Sequence, residues 1–188
     1  TCAIKGNKGA DMLKRVLAAI AILAALAAPA FAKDAAPVAP ALTYAFTVTL
    51  KPGVPVELGE VEGAKRRFIP ILGGTVNGPK LQGEVLPGGG DWQTVTPEGV
   101  AKIDARYFLK LTDGAIVEVV TPGVRVASPD VVKRLAQGED VDPSLYYFRV
   151  TPQLRVKSGA QDWLGKTVFV AKGARRPDRV TFDFFAAE

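Results

Sequence analysis

The chain has 188 residues, of which 48% are apolar and 23% charged, a balance that excludes disorder throughout and fits one folded domain with appendages. Its formal charge of +5 is unevenly spread: Lys5, Lys8, Lys14 and Arg15 against Asp11 place +3 in the first 32 residues and leave only +2 for the rest. No nucleic-acid partner is expected. The remaining basic runs, Lys65-Arg66-Arg67 and Arg175-Arg176, lack the interleaved aromatic platforms that stack on bases, and both read as solvated surface.

From Met12 the sequence runs through Lys14-Arg15, an apolar stretch from Val16 to Ala28 and a small-residue site at Ala30-Phe31-Ala32, the three parts of a cleavable export leader. That stretch is too short for the roughly 20 residues that span a bilayer. The expectation is cleavage after Ala32, no membrane span thereafter, and a periplasmic or secreted protein. Met12 is the single Met, so residues 1–11 are expected to precede the true start and to take Cys2 with them. From Lys33 onward there is no Cys and no His. Thiol chemistry, imidazole acid-base chemistry and the usual zinc ligand sets fall together, so neither a metal nor a cofactor is expected.

Residues 33–41 are rich in Ala and Pro, and Pro37 and Pro40 forbid a helix, which makes this a linker. Residues 42–188 form the expected single domain. Leu42 to Leu50 alternates strictly, putting Leu42, Tyr44, Phe46, Val48 and Leu50 on one face of a strand and three Thr on the other. Further strands are predicted at Val54–Leu58, Phe68–Leu72, Leu81–Leu86, Trp92–Thr96, Val100–Leu111 and Ala115–Val120. The last two are joined by Thr112-Asp113-Gly114, a hairpin signal. A helix is predicted over Pro129–Gln137, with Ser128 as its N-cap and Gly138 as its stop. Strands at Tyr146–Val150, Leu154–Lys157, Thr167–Ala171 and Val180–Phe185 complete the chain. The fold class is mainly β. An antiparallel barrel of roughly eight to ten strands, with the short helix over one end, leaves fewer unpaired edges than an open sheet; a flattened sandwich is the alternative.

Three runs could carry chemistry. In Val100–Leu111, Ala101, Ile103, Ala105, Tyr107, Leu109 and Leu111 share one face, while Asp104, Arg106 and Phe108 share the other. That second face is either solvent or a lumen in which a carboxylate and a guanidinium both reach a ligand. In Leu86-Pro-Gly-Gly-Gly-Asp-Trp-Gln93, three glycines precede Asp91, Trp92 and Gln93. They form either a turn whose Trp92 packs on the core or a lip presenting Asp91 and Gln93 at a barrel mouth. In Tyr146-Tyr147-Phe148-Arg149, Tyr147 and Arg149 share a face, as an anion-binding pair or as a surface Arg over an aromatic ring.

Taken in order, Gly73-Gly74-Thr75 with Gly78-Pro79, Pro87-Gly88-Gly89, Asp91-Trp92-Gln93, Asp104-Ala105-Arg106-Tyr107 and Tyr146-Tyr147-Phe148-Arg149 resemble the bacterial domain-of-unknown-function 3237 family. The resemblance runs from about Leu42 to Phe185 and implies an antiparallel β-barrel, with no reaction attached. A pattern shared at Asp91, Trp92, Asp104, Arg106, Tyr147 and Arg149 also implies a common pocket. The chain departs from the family pattern at Trp163-Leu164-Gly165, where members often carry Trp-Leu-Asn.

Three functions follow as expectations. The first is a module binding a small, partly apolar, anionic molecule through Arg106 and Arg149. The second is a cofactor-independent isomerase, cyclase or lyase, with Asp91 or Asp104 as base and Tyr107 or Tyr147 with Arg106 stabilising an oxyanion. The third is a structural envelope protein with a filled barrel. Nothing in the sequence specifies an oligomeric state.

Overall fold

The structure, a computed structural model, describes residues 37–188. The expected leader at Met12–Ala32 and the first part of the expected linker lie outside the described residues. Residues 37–41 are exposed and belong to no helix or strand.

The strands are β1 (Leu42–Pro52), β2 (Val56–Val61), β3 (Ala64–Asn77), β4 (Gln82–Val85), β5 (Gly89–Val95), β6 (Val100–Leu111), β7 (Ile116–Val126), β8 (Tyr147–Val150), β9 (Gln153–Val156), β10 (Phe169–Arg175) and β11 (Val180–Ala187). A single α-helix, α1 (Pro129–Ala136), follows β7 among the described residues. Eight strands close a ring in the order β1-β3-β5-β6-β7-β8-β10-β11, with every neighbouring pair antiparallel. Closure satisfies the backbone groups that a sheet edge would leave open.

The other three strands extend or complete the ring. β4 lies end to end with β5: β3 pairs with β5 over Lys65–Ile71 and with β4 over Gly74–Asn77. β9 likewise pairs with β7 over Val117–Val120, next to where β8 pairs with it over Gly123–Val126. β2 pairs only with β3, through a turn at Glu62 and Gly63. Both turn residues have positive φ, 54° and 75°, matching the twist of a tight hairpin.

β6 spans Val100–Leu111, the predicted range, and its apolar face is buried at Ala101, Ile103, Ala105, Tyr107, Leu109 and Leu111. The predicted hairpin joins it to β7, with the Ala115 N–H donating to Asp113 Oδ1 at 3.0 Å. Ser128 caps α1 by accepting from the Val131 N–H, and Pro129 stands in the first turn. β1 departs from its predicted face. A bulge between Tyr44 and Phe46 inserts one residue, so Ala45, Phe46, Val48 and Leu50 point inward while Leu42 and Tyr44 are exposed.

The barrel interior divides along its axis. One half is filled by Phe46, Tyr107, Leu109, Phe169 and Phe184, all buried, and the Phe46 and Phe184 rings stack with centroids 4.6 Å apart. The other half is hollow.

Candidate functional site

The hollow half is a cavity of about 520 Å³, within the range of roughly 300–1,000 Å³ usual for small-molecule sites. Small side chains leave the space. Along β6 the inward residues at the cavity are Ile103 and Ala105, and the large ones begin at Tyr107. Leu50, Ile71, Phe148 and Phe182 supply apolar wall, and α1 contributes Val132, Leu135 and Ala136.

Polar groups enter this apolar space from four strands. Pro87 and Gly88 make the turn into β5, with Gly88 at φ 102°, after which strand alternation turns Asp91 and Gln93 inward. Gly90 has no room for a side chain, because the Phe68 ring occupies the place its Cβ would take. Cross-strand register sets Arg67 of β3 opposite Gln93, and Arg67 donates to Gln93 Oε1 from Nε at 3.1 Å and from Nη2 at 2.8 Å. Gln93 Nε2 in turn donates to Asp91 Oδ2 at 2.5 Å, while the Asp104 backbone N–H donates to Asp91 Oδ1 at 3.1 Å. The Asp91 carboxylate is therefore held at both oxygens.

Arg125 of β7 enters the same space and is only 7% exposed. Its guanidinium carbon lies 5.9 Å from the Phe148 ring centroid, and it forms no salt bridge among the described residues. Arg175, at the end of β10, also lines the cavity, and its Nη1 is buried with no hydrogen-bond partner among the described residues. Tyr146 fixes the Arg175 backbone: its hydroxyl accepts from the Arg175 N–H at 2.9 Å and donates to the Arg175 carbonyl at 3.3 Å.

Burial raises the Asp91 pKa, against hydrogen bonds from Gln93 and the Asp104 N–H and the charges of Arg67 and Arg125, which lower it. Burial also lowers the Arg125 pKa, to about 10, helped by the neighbouring charges of Arg67 and Arg175. Glu57 and Lys65 at the rim offset one another, and Glu57 reaches Arg67 at 3.9 Å. The interior thus holds three guanidiniums against one carboxylate.

Of the eight residues singled out in the sequence, the structure brings only Asp91 and Gln93 into the cavity. Asp104 and Arg106 are on the outer face, paired with each other at 3.4 Å, because alternation on β6 commits Ala105 and its apolar companions to the interior. Trp92 also faces outward, 50% exposed, with its ring 4.8 Å from Phe68, since the parity that turns Asp91 in must turn Trp92 out. Tyr147 and Arg149 sit together outside, with the guanidinium carbon 5.1 Å from the ring centroid, beside a shallow surface depression. Tyr107 does point inward, but into the filled half. Its hydroxyl is buried without a hydrogen-bond partner among the described residues, and burial raises its pKa. The expected lip at residues 86–93 is a turn followed by a paired strand, and the expected packing of Trp92 on the core is replaced by a tilted contact with the Phe68 ring on the outer sheet face.

Sequence reasoning missed Arg67, Arg125 and Arg175. The run Lys65-Arg66-Arg67 reads as surface by composition, yet Arg67 has the same parity as the inward Ile69 and Ile71. Arg125 has the parity of the buried Val117, Val119 and Thr121, but Pro122-Gly123 masked the continuation of β7. Arg175 continues the inward Phe169, Ala171 and Gly173 of β10 in the same way. Gly165, where the chain departs from the family pattern, lies in a 3₁₀ turn at Asp162–Lys166 and lines no part of the cavity.

Residues 40–187 match the family model described as a protein of unknown function, DUF3237. The chain belongs to the DUF3237 family. A UPF0311 protein of Bradyrhizobium diazoefficiens is 41% identical over 140 residues, covering 74% of this chain and 91% of that one. Among solved structures, a conserved protein of unknown function from Rhodopseudomonas palustris superposes with a TM-score of 0.79 at 36% identity, covering 81% of this chain and 100% of its own. A protein from Acinetobacter baumannii described as β-barrel like gives a TM-score of 0.70 at 39% identity, covering 81% of this chain and 98% of its own. The barrel of this DUF3237 chain therefore has solved counterparts in its relatives.

Proposed function

We propose that the barrel binds a small organic anion with a partly apolar body. In this reading the charged group sits toward Arg125 and Arg175 and the body lies against Ile103, Phe148 and Phe182. The observation that carries the reading is the excess of guanidinium over carboxylate in a cavity that is otherwise apolar. A desolvated guanidinium without a counter-ion costs stability, and an anion that supplies one gains strong charge-assisted hydrogen bonds. Arg67, Arg125 and Arg175 replace Arg106 and Arg149 as the anion-matching residues, because the latter pair faces outward. A cavity of this size also runs against the filled-barrel reading.

The test uses 1-anilinonaphthalene-8-sulfonate, an apolar-bodied anion, with native mass spectrometry of protein from its own host to seek a retained small molecule. Saturable fluorescence enhancement that weakens at least tenfold in Arg125→Met supports the reading. The same substitution should raise the thermal midpoint of the free protein, by about 1–3 kcal/mol of stability, because it removes an unpaired desolvated charge. Binding unchanged in Arg125→Met, or none at all in the natural protein, overturns it.

We further propose, from the Met12–Ala32 pattern alone, that the protein acts in the periplasm or outside the cell. Expression of the full chain should yield a product beginning Lys33-Asp34-Ala35-Ala36 in the envelope fraction. An uncleaved, cytoplasmic product overturns this.

A further inference from the structure

The cavity contains more than binding requires. An anion-binding pocket has no use for a buried carboxylate, which repels the ligand and is costly to desolvate. Asp91 nevertheless stands inside, on a central strand of the ring, with its carboxylate orientation fixed from both sides by Gln93 Nε2 and the Asp104 N–H. Arg67 anchors Gln93 through two hydrogen bonds, so the amide cannot turn its oxygen toward Asp91 without losing both. Each Asp91 oxygen retains a lone pair beyond those bonds. Among the residues lining the cavity, the only other carboxylate is Glu57, which stands at the rim with its side chain 59% exposed.

We propose that Asp91 is a general base for proton transfer at carbon, acting on an enolisable carbonyl compound whose developing oxyanion is met by Arg125 and Arg175. The proposal rests on the anion-binding reading of the same cavity and adds a reaction to it. Asp91 takes a proton from the carbon beside the carbonyl. The C–H electron pair becomes the C=C bond of an enolate, and the carbonyl π pair moves onto oxygen. Return of the proton to the same carbon regenerates the substrate, and its return elsewhere on the enolate isomerises it. No electron is gained or lost overall, and no co-reactant is consumed. An apolar, water-poor wall strengthens the attraction between guanidinium and enolate, the electrostatic term that dominates many such reactions. Burial that raises the Asp91 pKa makes the carboxylate a stronger base than an exposed one. Gln93 and Arg67 act as positioning residues, since they reach the reacting atoms only through Asp91.

The probe is phenylpyruvate, an aryl 2-oxo acid with two exchangeable benzylic protons, in deuterium oxide with a non-nucleophilic buffer. Binding is read by displacement of the fluorescent sulfonate, and exchange by loss of the benzylic proton signal in NMR. The expected result is exchange accelerated by about 100-fold over buffer, within the usual range for a positioned base. Asp91→Asn and, as a second replacement, Asp91→Ser should both return exchange to background. Folding and displacement of the sulfonate should be retained in at least one of them. If phenylpyruvate binds but exchange is no faster than in either Asp91 variant, the base proposal is overturned while the binding reading stands. If neither probe binds the natural protein, both readings fall.

Discussion

The two halves of the barrel interior share the long strands β1, β3, β6, β7, β10 and β11, with β5 and β8 completing the wall at the cavity and β4 and β9 at the filled end, and they differ in what each shared strand places along its inward face. β6 runs from Ile103 and Ala105 at the cavity to Tyr107, Leu109 and Leu111 in the filled half; β10 runs from Arg175 at the cavity to Phe169. The filled half is an ordinary close-packed core. The hollow half gives up that packing and adds desolvated charge, a combination that destabilises the free protein. Close packing and the candidate site are separated along the barrel axis rather than shared between faces of the sheet.

The largest test of that separation compares identical truncations. Leu109→Ala should cost about 4–5 kcal/mol, the upper end for a buried Leu, because its side chain is enclosed on all sides; Leu50→Ala should cost about 2–3 kcal/mol, because it already borders open space. Urea denaturation measures both, and equal or inverted costs break the comparison. A smaller effect should appear with pH. The Asp91 pKa is raised on folding, so the folded state binds more protons than the unfolded state above the ordinary value of 3.8, and stability contributed by protonated Asp91 is lost as pH rises. Relative to Asp91→Asn, the natural protein should therefore lose stability on raising pH from 3.8, with a slope no steeper than about 1.4 kcal/mol per pH unit. A flat difference between the two across that window contradicts a desolvated Asp91. The smallest effect belongs outside the barrel. Arg106→Ala removes one partner of an exposed ion pair and should alter stability by less than about 0.5 kcal/mol, leaving sulfonate binding unchanged; a marked loss of binding would place function on the outer face after all.

What could be read in the sequence was parity, and what could not was where parity stopped or slipped. Val100–Leu111 alternates without interruption and its strand matches to the residue, as does the start of the capped helix at Pro129. β3 extends far beyond the predicted Phe68–Leu72. Its Lys-Arg-Arg start and Gly73-Gly74 pair both look like strand ends, although Gly74 is required there because Thr49 backbone occupies the place of its Cβ. β7 passes through Pro122 and Gly123 for a related reason: Gly123 lies too close to Arg149 and Val150 to carry a side chain. The same interruptions hid two of the three interior arginines. Asp91 and Gln93 were legible because they alternate around Trp92, but composition alone credited charged residues to solvent, and a cavity lined by charged side chains is where that rule fails.

The first strand of the domain pairs with its last, from Leu42 opposite Ala187 to Leu50 opposite Val180. The ring therefore cannot close while the chain is still being made. Until Val180–Ala187 leaves the ribosome, β1 and β10 are both open edges, and neither the cavity nor its arginine cluster has a complete wall. Joining residues so distant in sequence is slow, so a nascent chain of this protein is exposed to edge-to-edge association for longer than a helical bundle of equal length.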